Sequence, residues 1–368
     1  MAGSQQSLTP MEPVLRERVE AVSIDTVVDY VRRVISEARD VRCSTGVRNP
    51  VSLPGLAVDT LSFDPAITEA IGRNFVQAPS PDPAPSRMQA FIVHPGIEGV
   101  SSPLSWDVSK PCHPQRIADV LREAGLDASY FSDLDHWHLY DRTTATAVQL
   151  MRDVGHYPPW ETGAPLRPFL HWHYAQTGRR LTHCGTLGIG GKGIILAGAG
   201  GSGKSGTVIA GLLHGLQSVG DDYVLLEAGS NVSAYPLFAT LKQDPAGFER
   251  LRLNERLGND LPLNWQGKHQ FTIRDVSTDP VPSRLSIGAL LLPHIGGSGR
   301  TEITPVGRAE AMIALAASSI YQMPGERESG FRFFGEITRR LPCFRVTLGP
   351  DPAEVAGRLG EFIQAGAA

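Results

Sequence analysis

The sequence predicts an α/β fold, grading into α+β, and three observations carry that prediction. From about Arg179 onward, short aliphatic runs alternate with glycine-rich turns and helical segments. One of those turns, Gly198-Ala199-Gly200-Gly201-Ser202-Gly203-Lys204-Ser205, fits the pattern G-x-x-x-x-G-K-[ST] throughout. A pair of acidic residues, Asp221 and Asp222, then follows one helical segment later.

Taken in order, the elements begin between Val14 and Arg39, where Val19, Val22, Val27, Val31, Val34 and Ile35 recur roughly at helical spacing. One or two amphipathic helices are expected there. Residues 78–86, APSPDPAPS, hold too much proline for a helix or a central strand and read as a spacer. MQAFIVHP (88–95) reads as a buried strand, and residues 114–124 and 143–153 carry helical periodicity. PLRPFLHWHYAQ (165–176) suits a helix opened by Pro165 and closed by Gly178. These readings predict a smaller, mostly helical N-terminal domain over residues 1–178, with a boundary near 176–182. After it, LGIG, GIILAG, YVLLE, QFTIRD, ALLLPHI and FRVTLG read as strands of a mixed sheet over 179–368, with a helix near AEAMIALAASS.

Bulk composition narrows the partners. The chain has 368 residues, 41% hydrophobic and 20% charged, with a net charge of -4, so no strong basic field is available for nucleic acid or an anionic membrane. The first residues do not read as a signal peptide and no run of 18 apolar residues occurs, so neither secretion nor membrane spanning is expected. Cys43, Cys112, Cys184 and Cys343 form no CxxC or CxxH pair, which predicts reduced thiols and a cytoplasmic protein.

The glycine-rich turn sits where its chemistry requires. Gly193 to Ala197 is an apolar run ahead of it, and Val208, Ile209, Leu212, Leu213 and Leu216 make a helical stripe behind it. Glycines let several backbone N–H groups turn inward, and the following helix N-terminus adds partial positive charge, so phosphate oxygens are held. Lys204 would reach the β and γ phosphates, and the Ser205 hydroxyl would ligate Mg²⁺. Gly206 and Thr207 complete the expected contact set. A right-handed strand, helix, strand unit would carry Asp221 and Asp222 up to the phosphates. Adjacent residues of an extended segment point to opposite sides, so one aspartate can hold metal while the other faces the acceptor as base.

These residues resemble the HPr kinase/phosphorylase family and, more distantly, phosphoenolpyruvate carboxykinase. In that family a histidine precedes the P-loop strand and a two-aspartate motif follows one helix after the loop; His183, Gly198 to Ser205, and Asp221 with Asp222 occupy those places. The resemblance implies a P-loop fold of the carboxykinase type, use of ATP and Mg²⁺, and transfer of the γ-phosphoryl group to a serine-type hydroxyl. It makes Asp221 the base with His183 beside it, and puts Asp222 and Ser205 on the metal side. Serine kinases of this type that accompany peptide-modifying systems act on peptides or small molecules. Two departures stand out: FERLRLNERLG (248–258) does not reproduce the family's E-I-R-G signature, so HPr itself is not implied as acceptor, and Gly206 replaces a second hydroxyl residue. HPr kinases form hexamers, which leaves a homo-oligomer open.

Weaker candidates complete the set. Arg300 in GGSGR, or Lys268, could add a cation at the transfer site. The pairs His136 with His138 and His171 with His173, each around a tryptophan, read as packing residues between the halves, since neither pair has a third ligand in register. Two readings other than a peptide or protein kinase stay open: a small-molecule hydroxyl kinase, and a non-catalytic ATP-switched binding protein.

Overall fold

The computed structural model describes residues 21–41, 46–76, 85–296, 299–322 and 327–366. Residues 14–20 of the first expected helix, 78–84 of the proline-rich stretch, and Cys43 lie outside the described residues.

The chain is a mixed α/β protein with two large mixed sheets. The first holds β1 (Val47–Leu53), β2 (Leu56–Ser62), β3 (Ser86–Val93), β4 (Leu126–Phe131), β5 (His136–Asp141) and β6 (Thr146–Leu150), in the spatial order β1-β2-β3-β6-β5-β4. Strands β2, β3 and β6 run parallel, and the outer pairs are antiparallel. This corrects the expectation of a mostly helical N-terminal part. The stretch 143–153 is the origin of the error: TAVQL is a fully buried central strand between β3 and β5, and a short apolar run buried on both faces has no period to separate strand from helix. HWHLYD is likewise the strand β5.

Helices cover that sheet: α1 (Val27–Asp40), α2 (Pro65–Asn74), α3 (Pro114–Glu123) and α4 (Arg167–Ala175). Val27, Tyr30, Val31, Val34, Ile35 and Ala38 of α1 are buried, one helical stripe, as the valine spacing predicts. Asp64 caps α2 by accepting from the Ile67 N–H, with Pro65 at the first helical position.

The second sheet is built from β7 (Arg179–Thr182), β8 (Gly185–Ile189), β9 (Lys192–Leu196), β10 (Val224–Ala228) and β11 (Val232–Tyr235), with three later strands. Beyond a small hairpin of β12 (Thr240–Gln243) with β13 (His269–Thr272), the chain continues through β14 (Leu285–Ile295), β15 (Glu302–Pro305) and β16 (Cys343–Leu348). Strand β14 is the hub, parallel to both β9 and β16 and antiparallel to β11. Helix α5 (Lys204–Leu213) follows β9 and packs on β8.

The two sheets share apolar packing. One buried cluster unites Leu56, Ile71 and Phe169 with Leu181, Leu225 and Phe238. Backbone hydrogen bonds stitch the seam, Val76 N–H to Leu237 O at 2.8 Å and Ala239 N–H to Asn74 O at 2.7 Å. No helix among the described residues is long and apolar enough to cross a membrane.

Candidate functional site

The glycine-rich turn links the end of β9 to the start of α5. Gly203 caps the helix at φ +101°, in the left-handed region, and a Cβ there would fall 2.7 Å from Leu348 Cδ1. Both facts require glycine. Lys204 begins α5 and is 6% exposed; its Nζ donates to Gly198 O at 2.6 Å and Ala199 O at 3.1 Å. Burial lowers the pKa of Lys204, while Asp221 and Asp222 oppose that shift. The lysine thus closes its own loop, at the end from which it would reach phosphate. Thr207 Oγ1 donates to Gly203 O at 2.8 Å, so this hydroxyl is turned back onto the helix.

Around the loop lies a cavity of about 570 Å³, which Lys204, Ser205, His183, Asp222, Lys242 and Arg167 help to line. Gly203, Gly206, Arg250 and Ile295 also line a second, apolar room of about 380 Å³, closed by Leu348, Pro350 and Val355.

The aspartates reach the loop by a route other than the expected strand, helix, strand unit. Strand β10 pairs antiparallel with β7 and β11 and is not a neighbour of β9. After α5 the chain instead runs along β8: Gly188 N–H donates to Gln217 O at 2.7 Å and Thr186 N–H to Gly220 O at 3.1 Å. That pairing delivers Asp221 beneath the loop and Asp222 to its open side. Asp222 has φ +67°, a left-handed conformation uncommon outside glycine and asparagine-like residues.

The two carboxylates have opposite surroundings. Asp221 is 1% exposed, and neither of its oxygens has a hydrogen-bond partner at full geometry. Burial first, and the Asp222 charge second, push its pKa up to about 6, against the nearby Ser205 hydroxyl, Lys204 and His183. Room for it exists because position 185 is glycine: a Cβ there would fall 3.0 Å from Asp221 Oδ1. Asp222 stands 3.5 Å from His183 Nε2 and 3.2 Å from Lys242 Nζ. Burial pushes its pKa up too, but the hydrogen bond from His183 and the charge of Lys242 outweigh that and hold the carboxyl far below its ordinary range. His183 is fixed through its backbone, whose N–H donates to Ser319 Oγ at 3.0 Å.

The residues present fit Mg²⁺. Asp221 offers two unpartnered oxygens beside Ser205, and magnesium commonly takes one or two carboxylates and fills its remaining positions with phosphate oxygens and water. No group of three His, Cys, Asp or Glu arranged around a cation occurs among the described residues.

Several lining residues escape a reading of the sequence. Lys242 is the one charged side chain of β12, a lone cation in a largely buried strand, and that contrast is the signal that could have found it. Arg167 opens α4; its guanidinium lies 4.8 Å over the Tyr223 ring and donates to the Tyr223 hydroxyl, which donates in turn to Gln322 Oε1 at 2.6 Å. Of the two expected extra cations, Lys268 lines the cavity, whereas Arg300 is exposed and is not among its lining residues.

The paired histidines are structural. His138 Nε2 lies 3.3 Å from both His136 Nε2 and Glu161 Oε1, all three residues being fully buried, and burial pushes the pKa of His136 down to about 2. His173 bridges Ser86 Oγ at 3.0 Å and the Tyr140 hydroxyl at 2.9 Å.

No protein-family model matches the chain, and no curated protein matches it. Among solved structures, the chain is similar to the HPr(Ser) kinase/phosphatase from Coxiella burnetii, with 15% identity over 32% of this chain and a TM-score of 0.23. The likeness spans 65% of that protein's length. At that score the superposition adds no weight to the site, which stands on its own residues.

Proposed function

We propose that the protein is an ATP-dependent phosphotransferase that moves the γ-phosphoryl group onto a serine-type hydroxyl of a peptide or small molecule. The observation that carries this reading is a cavity lined by the glycine-rich loop, Lys204, Ser205 and Asp222, with Asp221, of opposite protonation tendency, buried beneath the loop next to it. A nucleotide switch has no need of the second, acceptor-facing carboxylate. In this reading, residues 179–368 form a P-loop kinase unit of the HPr kinase and carboxykinase type, and residues 1–178 serve acceptor recognition.

Loop N–H groups from Gly198 to Ser205, with Gly206 and Thr207 at the helix start, cradle the phosphates, and Lys204 leaves its own carbonyls to bind the β and γ oxygens. Ser205, with Asp221 reaching up from beneath the loop, would hold Mg²⁺, which when bound would supply charge neutralisation on the phosphates. Asp222 accepts the acceptor's hydroxyl proton as the new O–P bond forms and the bond from Pγ to the ADP oxygen breaks. These roles reverse the assignment drawn from the resemblance. What supports this assignment is that Asp222 lines the cavity with His183 and Lys242 beside it, whereas Asp221 is buried beneath the loop. A loose phosphoryl-transfer transition state asks the carboxylate chiefly to position the hydroxyl, so an acidic Asp222 suffices.

Incubating the protein with γ-labelled ATP, Mg²⁺ and the serine-containing peptides encoded by neighbouring genes tests the proposal. Labelled phosphoserine is the expected product; tight nucleotide binding with no labelled product from any acceptor would sink it.

A further inference from the structure

A third room opens from the transfer point on the side away from the apolar room. It has a volume of about 700 Å³ and is walled chiefly by α3, β4, β5 and α4 of the N-terminal half, with Ile320, Gln322 and Arg327 of the C-terminal half completing it. Phe131, Arg167 and Gln322 line both this room and the phosphate-side cavity, so the two meet at those residues. Apolar room, phosphate room and third room therefore follow one another, each sharing residues with the next.

The walls of the third room are aromatic. Trp106, Tyr130, Trp137 and Trp172 line it, with Ile117 and Leu121 of α3. Tyr130 stacks on Trp137 with ring centroids 4.6 Å apart, and Trp106 tilts onto Trp137 at 6.4 Å. Their polar ends are already satisfied within the protein: Trp137 Nε1 donates to Leu104 O at 2.8 Å, and the Tyr130 hydroxyl donates to Asp135 Oδ1 at 2.8 Å. Asp127, the acidic wall residue, is committed to Arg142 through two hydrogen bonds of 2.7 Å. Trp106, Tyr130, Phe131 and Ile117, all partly exposed, turn ring and aliphatic surface to the room, and His113, Gln115, Arg167, Gln322 and Arg327 add polar groups to its lining.

We infer that this room binds the acceptor, and that it takes a hydroxyl compound carrying an aromatic group next to the reacting hydroxyl. The inference rests on the phosphotransfer reading. The volume suits a small ligand or a short peptide segment. The aromatic body would lie against Trp106, Tyr130 and Ile117, which are partly exposed over the buried Trp137, while the hydroxyl would emerge past Phe131 and Arg167 toward Asp222. A room with no phosphate-binding loop and an opening onto the transfer point serves an acceptor better than a second nucleotide.

The experiment uses the full chain and saturation-transfer NMR, with and without Mg²⁺ and the β,γ-imido analogue of ATP. The probes are N-acetyl-seryl-tryptophanamide, N-acetyl-seryl-glycinamide and tryptophol. Saturation transfer is expected to the indole protons of the tryptophan dipeptide, and none to the acetyl, seryl or glycyl protons of the glycine one. Ala118→Trp, which fills the room from α3, should weaken the tryptophan probe by at least roughly tenfold while nucleotide affinity stays within about twofold. A peptide acceptor is indicated if the dipeptide outbinds tryptophol, a small-molecule acceptor if the order reverses. No indole signal in the parent protein, or a signal indifferent to Ala118→Trp, overturns the inference. Ile117→Trp, approaching from the next position of α3, must agree, which guards against a folding defect in the first variant. Indole binding in a protein that binds no nucleotide would fell the phosphotransfer reading and leave an aromatic-binding room without that chemistry.

Discussion

The two halves of the molecule present their ligand-facing groups in opposite ways. In the C-terminal half, Gly198 to Ser205 are consecutive, and form one turn between β9 and α5. In the N-terminal half, the wall is assembled from Trp106, Tyr130, Trp137 and Trp172, which come from a loop, two strands and a helix. The first kind of site works through backbone N–H groups, which any local turn can align. The second works through side-chain surface, which only packing can gather. A contiguous motif announces itself in sequence; a gathered surface does not.

Four substitutions or titrations would break or sharpen that contrast. The largest effect is expected at the meeting point of the halves: Asp222→Asn should lower phosphoryl transfer by about 10³-fold. Nucleotide affinity, followed by a fluorescent ATP analogue, should stay within about twofold of the parent. If transfer persists instead in Asp222→Asn and collapses in Asp221→Asn with metal binding intact, the roles stand as the resemblance alone implied.

Arg167→Ala comes next and asks whether the N-terminal half contributes to the chemistry at all. Loss of one charge-stabilising group should lower turnover roughly 10²-fold. Lysine should not restore it, because a compact ammonium cannot keep the stacked, planar contact with Tyr223. Wild-type turnover in Arg167→Ala would confine the active centre to the nucleotide half.

Gly203→Ala probes the local site. Its φ of +101° and the 2.7 Å approach to Leu348 Cδ1 should cost about 1–3 kcal/mol, seen as a lower thermal midpoint and weaker nucleotide binding. An unchanged midpoint would mean that the loop relaxes at no cost.

The smallest effect is a pH dependence. Asp221 has its folded-state pKa raised to about 6, above the ordinary carboxylate range, so folding favours its protonated form. The associated stabilisation is complete below the unfolded pKa and is lost as pH rises through about 6. The urea midpoint of the nucleotide-free protein should therefore decline between about pH 4 and about pH 6, levelling off above that, and Asp221→Asn should flatten the decline. Added Mg²⁺ and nucleotide should raise stability more at the upper end of that range, where Asp221 is ionised and can hold metal.

What the sequence alone determined was the glycine-rich loop and its flanks. The strand, the eight-residue loop, the helix after it and most later aliphatic strands were legible, because each depends on contiguous residues and on glycine at particular turns; QFTIRD was not, since it ends β13 of the small hairpin and turns into a short helix at Ile273. The alternation of the N-terminal half was misread at TAVQL, since a strand buried between two neighbours carries no two-residue period. Tertiary structure alone decided the rest. It set Asp222 against His183 and Lys242 and sealed Asp221 under Gly185, and so gave two adjacent, chemically identical side chains opposite proton affinities. It also routed the aspartates along β8 rather than through a parallel neighbour of β9, and brought Arg167 to the phosphate cavity. The physical reason is range: backbone conformation is written by neighbours in the chain, whereas burial and charge are set by whatever the fold packs alongside.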